Sequence, residues 1–202
     1  GVTDVVKETY AQSSANARGA DDGKLRTFRL ALSCTGEYAN YFGGTKALAL
    51  AGMVNTLTRV NAIFERDFGV RLVLVANTDS VIYTNASTDP YSTKAYWANE
   101  LQTNLTNTIG EANYDIGHLF DAVLGGGNAG CTGCVGVDGY KGRGYTSTLS
   151  VPEGDGFDIQ YAAHELAHQL GANHSFTYKT ESGNPAQMEP GSASTIMGYA
   201  GV

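Results

Sequence analysis

Between Phe157 and His174 the chain reads FDIQYAAHELAHQLGANH, and its three histidines and one central glutamate stand at spacings that metal chemistry can use. At 100° per residue, His164, Glu165 and His168 share one side of a helix, while Ile159, Ala163, Leu166 and Leu170 form the opposite stripe. One turn, roughly 6 Å along the axis, separates His164 from His168, so both imidazoles can address a single ion. Glu165 points off that line and would reach a metal-bound water rather than the metal. Gly171 lets the helix end in the left-handed conformation and turns the chain sharply, which returns His174 to the same point. Three neutral imidazoles on a tetrahedral zinc leave one position open for water, the arrangement of a catalytic site rather than a closed structural one. An HExxH arises by chance in about one in a few hundred chains of this size, and adding Gly171 and His174 lowers that about a thousandfold. Glu181 or Glu189 as third ligand would require a long loop closure that His174 does not.

The elements that must position these groups are legible in part. Asp158 or Asp155 can cap the start of the histidine helix. Upstream, Leu25 to Ser33 alternates as a strand, and Thr45 can cap a long helix running to about Phe68, where Gly69 stops it. Val70 to Val75 is nearly continuously apolar, the pattern of a strand covered on both faces. Tyr96 to Ile109 reads as a helix, and Ile116 to Leu124 and Tyr145 to Val151 as strands. This order predicts an α+β domain with a mixed sheet backed by helices. His118, in an apolar strand, reads as a packed structural residue.

With 202 residues and 42% hydrophobic content the chain can bury a substantial core. Thirteen Lys and Arg against twenty Asp and Glu give a net charge of −7 without a basic cluster, which argues against nucleic acid as a partner. The apolar runs are short and cut by Gly and polar residues, so no membrane span is expected. Twenty-six Gly and twelve Tyr suit the short strands and ordered loops of a secreted protein. Cys34, Cys131 and Cys134 cannot all pair within one chain. The CxxC of Cys131 and Cys134 is open to three readings, a tight disulfide, half a metal site or two unrelated thiols, although a zinc ribbon lacks its second pair. Calcium is a second candidate ion, with Asp155, Asp158, Asp79 and Asp89 as oxygen donors but no EF-hand spacing.

His164, Glu165, His168, Gly171 and His174 match the zinc signature HExxHxxGxxH of the metzincin metallopeptidases at every fixed position. The sequence from Ser194 to Tyr199 resembles their methionine turn, with Met197 as the methionine. The chain is most similar to the bacterial members of the reprolysin-like, or adamalysin-like, branch. This resemblance implies a metzincin catalytic domain split by a cleft, with a mixed twisted sheet, backing helices and the zinc helix above it and a small irregular subdomain below. On that scheme residues 21–171 form the upper part, 172–202 the lower part, and 1–20 an extension that reads as the remnant of a removed propeptide. The implied activity is hydrolysis of internal peptide bonds in proteins or peptides, by a zinc-bound water that Glu165 activates. The substrate would lie as an extended strand along Asn128 to Val135, with Gly130, Cys131 and Thr132 in the edge strand. The protein would be a secreted zymogen acting as a monomer.

Reprolysins usually carry Asp directly after the third histidine, whereas this chain has Ser175. Tyr199 is instead similar to the tyrosine of astacins and serralysins, which ligates zinc or stabilises the transition state. A packed aromatic is the alternative reading of it. The resemblance further implies that Cys134 pairs with a cysteine beyond residue 202, in the terminal part that metzincins normally possess. A second function stays in view, a catalytically silent zinc-containing binding or adhesion domain on the same fold.

Overall fold

The computed structural model describes residues 23–148, 150–177 and 188–198. Five strands form one sheet: β1 (Arg26–Cys34), β2 (Val70–Leu74), β3 (Ile116–Phe120), β4 (Gly126–Asn128) and β5 (Gly144–Ser147). Their spatial order is β2-β1-β3-β5-β4, parallel throughout except for β4, which runs antiparallel to β5. The helices are α1 (Gly36–Tyr41), α2 (Lys46–Asp67), α3 (Trp97–Thr108) and α4 (His164–Gln169), the last continuing a π-helical segment, Gly156–Ala163. The architecture is α+β, as the order of elements predicts.

Alternation along β1 builds two cores. Leu30, Leu32 and Cys34 face Met53, Leu57, Val60 and Phe64 of α2 together with Phe157, Leu166 and Ala167 of the histidine helix. Ala31 faces the other way, in a cluster with Leu119, Tyr145 and Trp97, Leu101 and Leu105 of α3. The histidine helix and α2 therefore share one face of the sheet. By length and composition α2 could cross a membrane, but its apolar stripe is the wall of the larger core. Thr45 caps it as expected, accepting from the Leu48 N–H at 3.3 Å.

Three expectations need correction. Val70 to Val75 is not covered on both faces: β2 is an edge strand, with Arg71 exposed and Val73 45% exposed. Its outer edge is closed by Asn61 of α2, whose amide accepts from the Leu72 N–H and donates to the Leu72 carbonyl, both at 2.8 Å. The helix that begins near Phe157 is wound as π over its first eight residues, and neither Asp155 nor Asp158 caps it. Asp158 is fully buried instead, accepting from Thr56 Oγ1 at 2.6 Å and pairing with Arg59 at 2.6 Å, which clamps the segment to α2. The proposed edge strand over Asn128 to Val135 ends at Asn128, so Gly130, Cys131 and Thr132 lie outside it. There the Asn128 side chain accepts from the Gly130 N–H at 2.6 Å and the backbone turns away.

Candidate metal centre

The turn after β4 works on the helix rather than on the sheet. Gly133 donates its N–H to His168 O at 2.9 Å and Val135 to Gln169 O at 3.3 Å, tying the turn to carbonyls at the end of the helix. Cys131 and Cys134 are bridged across this turn, with Cα atoms 5.9 Å apart. That local bridge replaces the implied pairing of Cys134 with a distant cysteine, and it leaves Cys34 as a buried thiol, pushed up to about 12 by burial.

At Gly171 the chain takes φ 110°, which a side chain would strain, and the Gly171 and Ala172 N–H groups donate to His168 O and Ala167 O, both at 2.9 Å. This pair of bonds is the Schellman pattern, and it swings His174 back over the helix. The three Nε2 atoms then form a nearly equilateral triangle: 3.0 Å from His168 to His164, 3.0 Å from His168 to His174, and 3.1 Å from His164 to His174. Nδ1 of His164 lies 2.6 Å from the Ile196 carbonyl and Nδ1 of His168 lies 2.7 Å from the Ala172 carbonyl. A carbonyl can only accept, so both Nδ1 atoms carry the proton and both Nε2 atoms present lone pairs. Burial also lowers the His164 pKa, which favours the neutral ligand form.

Lone pairs crowded to this distance repel unless a cation sits among them. Tetrahedral zinc with nitrogens at about 2.0–2.1 Å requires N–N separations of about 3.3 Å, close to those found. Donor type, number and spacing all fit zinc, and these histidines are the one such group among the described residues. The calcium candidates do not gather into a site. Asp155 and Asp158 are engaged by Arg59, and Asp89 accepts from the Gly36 and Tyr91 N–H groups.

Glu165 is 8% exposed and its carboxyl takes no hydrogen bond from any described residue. Burial pushes its carboxyl up to about 7, with the Lys94 ammonium opposing the rise. Gly127 of β4 covers it: a Cβ there would lie 2.6 Å from Glu165 Oε1 and 2.8 Å from Cδ. Only glycine admits this approach of strand to carboxyl. Lys94 donates to the Gly125 carbonyl just before β4, a contact with no sequence signal. Met197, 9% exposed, packs in the larger core with Leu166 and Ala167. His118 is fully buried, its Nδ1 donating to Gln169 Oε1 at 2.7 Å and its Nε2 accepting from Thr146 Oγ1 at 2.8 Å. It is a structural tie from β3 to the histidine helix and to β5. Tyr199 and residues 1–20 lie outside the described residues.

Comparison with curated proteins finds no match. Residues 24–202 match the family described as Metallo-peptidase family M12B Reprolysin-like. With the three-histidine centre and the α+β sheet already in place, and the match covering nearly the whole chain, the protein belongs to the reprolysin-like metallopeptidases of the metzincin group.

Proposed function

We propose that the protein is a zinc metalloendopeptidase that cleaves internal bonds of proteins or peptides, with Glu165 as general base. The observation that carries this reading is the Glu165 carboxyl itself, sequestered beside the imidazole triangle and taking no hydrogen bond from the described residues. A structural metal site has no use for such a group, whereas a base that must take and return a proton near neutral pH does. The three Nε2 atoms would hold a zinc ion, which when bound would supply Lewis acidity to a peptide carbonyl and a water. Glu165 takes the proton from the attacking water and passes it to the leaving amine. The β4 strand lies at the edge of the sheet, and a substrate added there as an extended strand would be held by backbone hydrogen bonds with its scissile bond beside Gly127 and Glu165. The Cys131–Cys134 bridge suits an oxidising, extracellular setting.

Digestion of casein and a mixed peptide library, with and without phenanthroline, tests the reading alongside Glu165→Ala. Cleavage that chelation abolishes and zinc restores, and that Glu165→Ala loses while keeping its zinc, is the expected result. Bound zinc with no cleavage by the wild type would move the protein to the silent binding-domain class.

A further inference from the structure

His174 leaves its helix behind, and residues 172–175 carry no regular secondary structure to hold it. The next residue supplies the hold. Ser175 is 7% exposed and commits every polar group it has: its N–H donates to Met197 O at 3.1 Å, its carbonyl accepts from the Met188 and Glu189 N–H groups at 3.0 and 2.8 Å, and its hydroxyl donates to Glu189 Oε2. Thr195 Oγ1 donates to the same Glu189 oxygen at 2.6 Å and lies 3.2 Å from Ser175 Oγ. Thr195 directly precedes Ile196, whose carbonyl orients His164 through Nδ1. One carboxylate thus ties the residue after His174 to the turn that aims His164. These bonds hold the Glu189 carboxyl below the ordinary range, so it stays charged where two hydroxyls converge on it.

We infer that Glu189 is a positioning residue of the metal centre, holding His164 and His174 in register by clamping Ser175 to Thr195. It is not itself part of the imidazole cluster. The inference rests on the reading of that cluster as a zinc site. Outer partners of this kind commonly set metal affinity by about 10- to 100-fold. The carboxylate matters because both hydroxyls converge on one of its oxygens and its charge strengthens those bonds; an amide oxygen in that place would accept the same two hydroxyls without the charge.

The test loads the wild type, Glu189→Gln, Glu189→Ala and the milder Thr195→Val with zinc, follows zinc transfer to a chelating dye, and compares the visible spectra of the cobalt(II) forms. Release should be about 10- to 100-fold faster for Glu189→Ala, with Glu189→Gln and Thr195→Val between it and the wild type. The cobalt bands should shift in the same order. Variants that release zinc at the wild-type rate with unchanged cobalt spectra overturn the inference, even if they melt at lower temperature. A wild type that binds no stoichiometric zinc overturns the metal-site reading and this inference with it, and zinc stoichiometry tells the two failures apart.

Discussion

Gly127→Ala places a methyl group against the proposed base without touching a metal ligand. The added Cβ would lie 2.6 Å from Glu165 Oε1 and 2.8 Å from Cδ, whereas unstrained heavy-atom contact begins at about 3.5 Å. Something must move by about 1 Å. Gly127 is paired with Thr146 and flanked by the paired Gly126 and Asn128, so the ladder resists and the side chain of Glu165 gives way. A catalytic group misplaced by 1 Å costs about 100-fold in rate, or about 2.7 kcal/mol of transition-state stabilisation. The loss should fall on kcat, because the backbone groups of β4 that would pair with substrate keep their places. Steady-state kinetics on a single cleaved peptide, with zinc content measured on the same samples, reads both effects. Activity within about threefold of the wild type would refute the placement of Glu165 as base beneath β4. A rise in KM at unchanged kcat would show that the strand, and not the carboxylate, had moved.

Arg59→Met should lower stability, because it leaves the fully buried Asp158 carboxylate without its counter-charge, and a urea midpoint within error of the wild type would count against it. Adding Asp158→Asn to that variant should recover most of the loss, since the group then left behind carries no charge. The His118 imidazole, pushed down to about 4 by burial, stays neutral over a range where the unfolded chain takes up a proton. Its contribution is therefore fully present above about pH 6.5 and fades as pH falls to about 4, a span worth on the order of 3 kcal/mol. Denaturant melts of metal-free wild type and His118→Gln across that window should show a steeper fall for the wild type, and parallel curves would exclude the assignment. Non-reducing peptide mapping should find Cys131 and Cys134 joined, and Cys34 alkylated only after unfolding.

What the sequence disclosed about the centre was whatever lies within one short run of chain. His164, His168, Gly171 and His174 span eleven residues, so helical spacing and a left-handed glycine suffice to bring their rings together. The aim of those rings is another matter, because Ile196 O holds His164 from 32 residues away and Glu189 acts on Ser175 across 14. Glu189 invited a wrong comparison in the sequence: as a candidate ligand it lost to His174, and nothing in its spacing indicated a role beside the ligands. Asp158 was misjudged for the same reason. Near a helix start an aspartate suggests a cap, and only the packing of α2 reveals the burial opposite Thr56 and Arg59. Hydropathy likewise could not tell that Val70 to Val75 ends the sheet, since strand order is decided by crossovers that leave no local trace.

The Gly-rich stretch before the CxxC carries the larger lesson, because one short run of chain does two jobs that its composition does not separate. Gly126 to Asn128 joins the sheet and lies against Glu165, while Gly133 and Val135 cap the helix that bears His168. The turn between them, bridged by Cys131 and Cys134, thus couples the edge strand to the end of the histidine helix. A displacement of that turn would disturb Glu165 and His168 together. Residues that hold Glu165 and residues that hold His168 are therefore not independent here, and substitutions on the two sides of the bridge should combine non-additively in kcat.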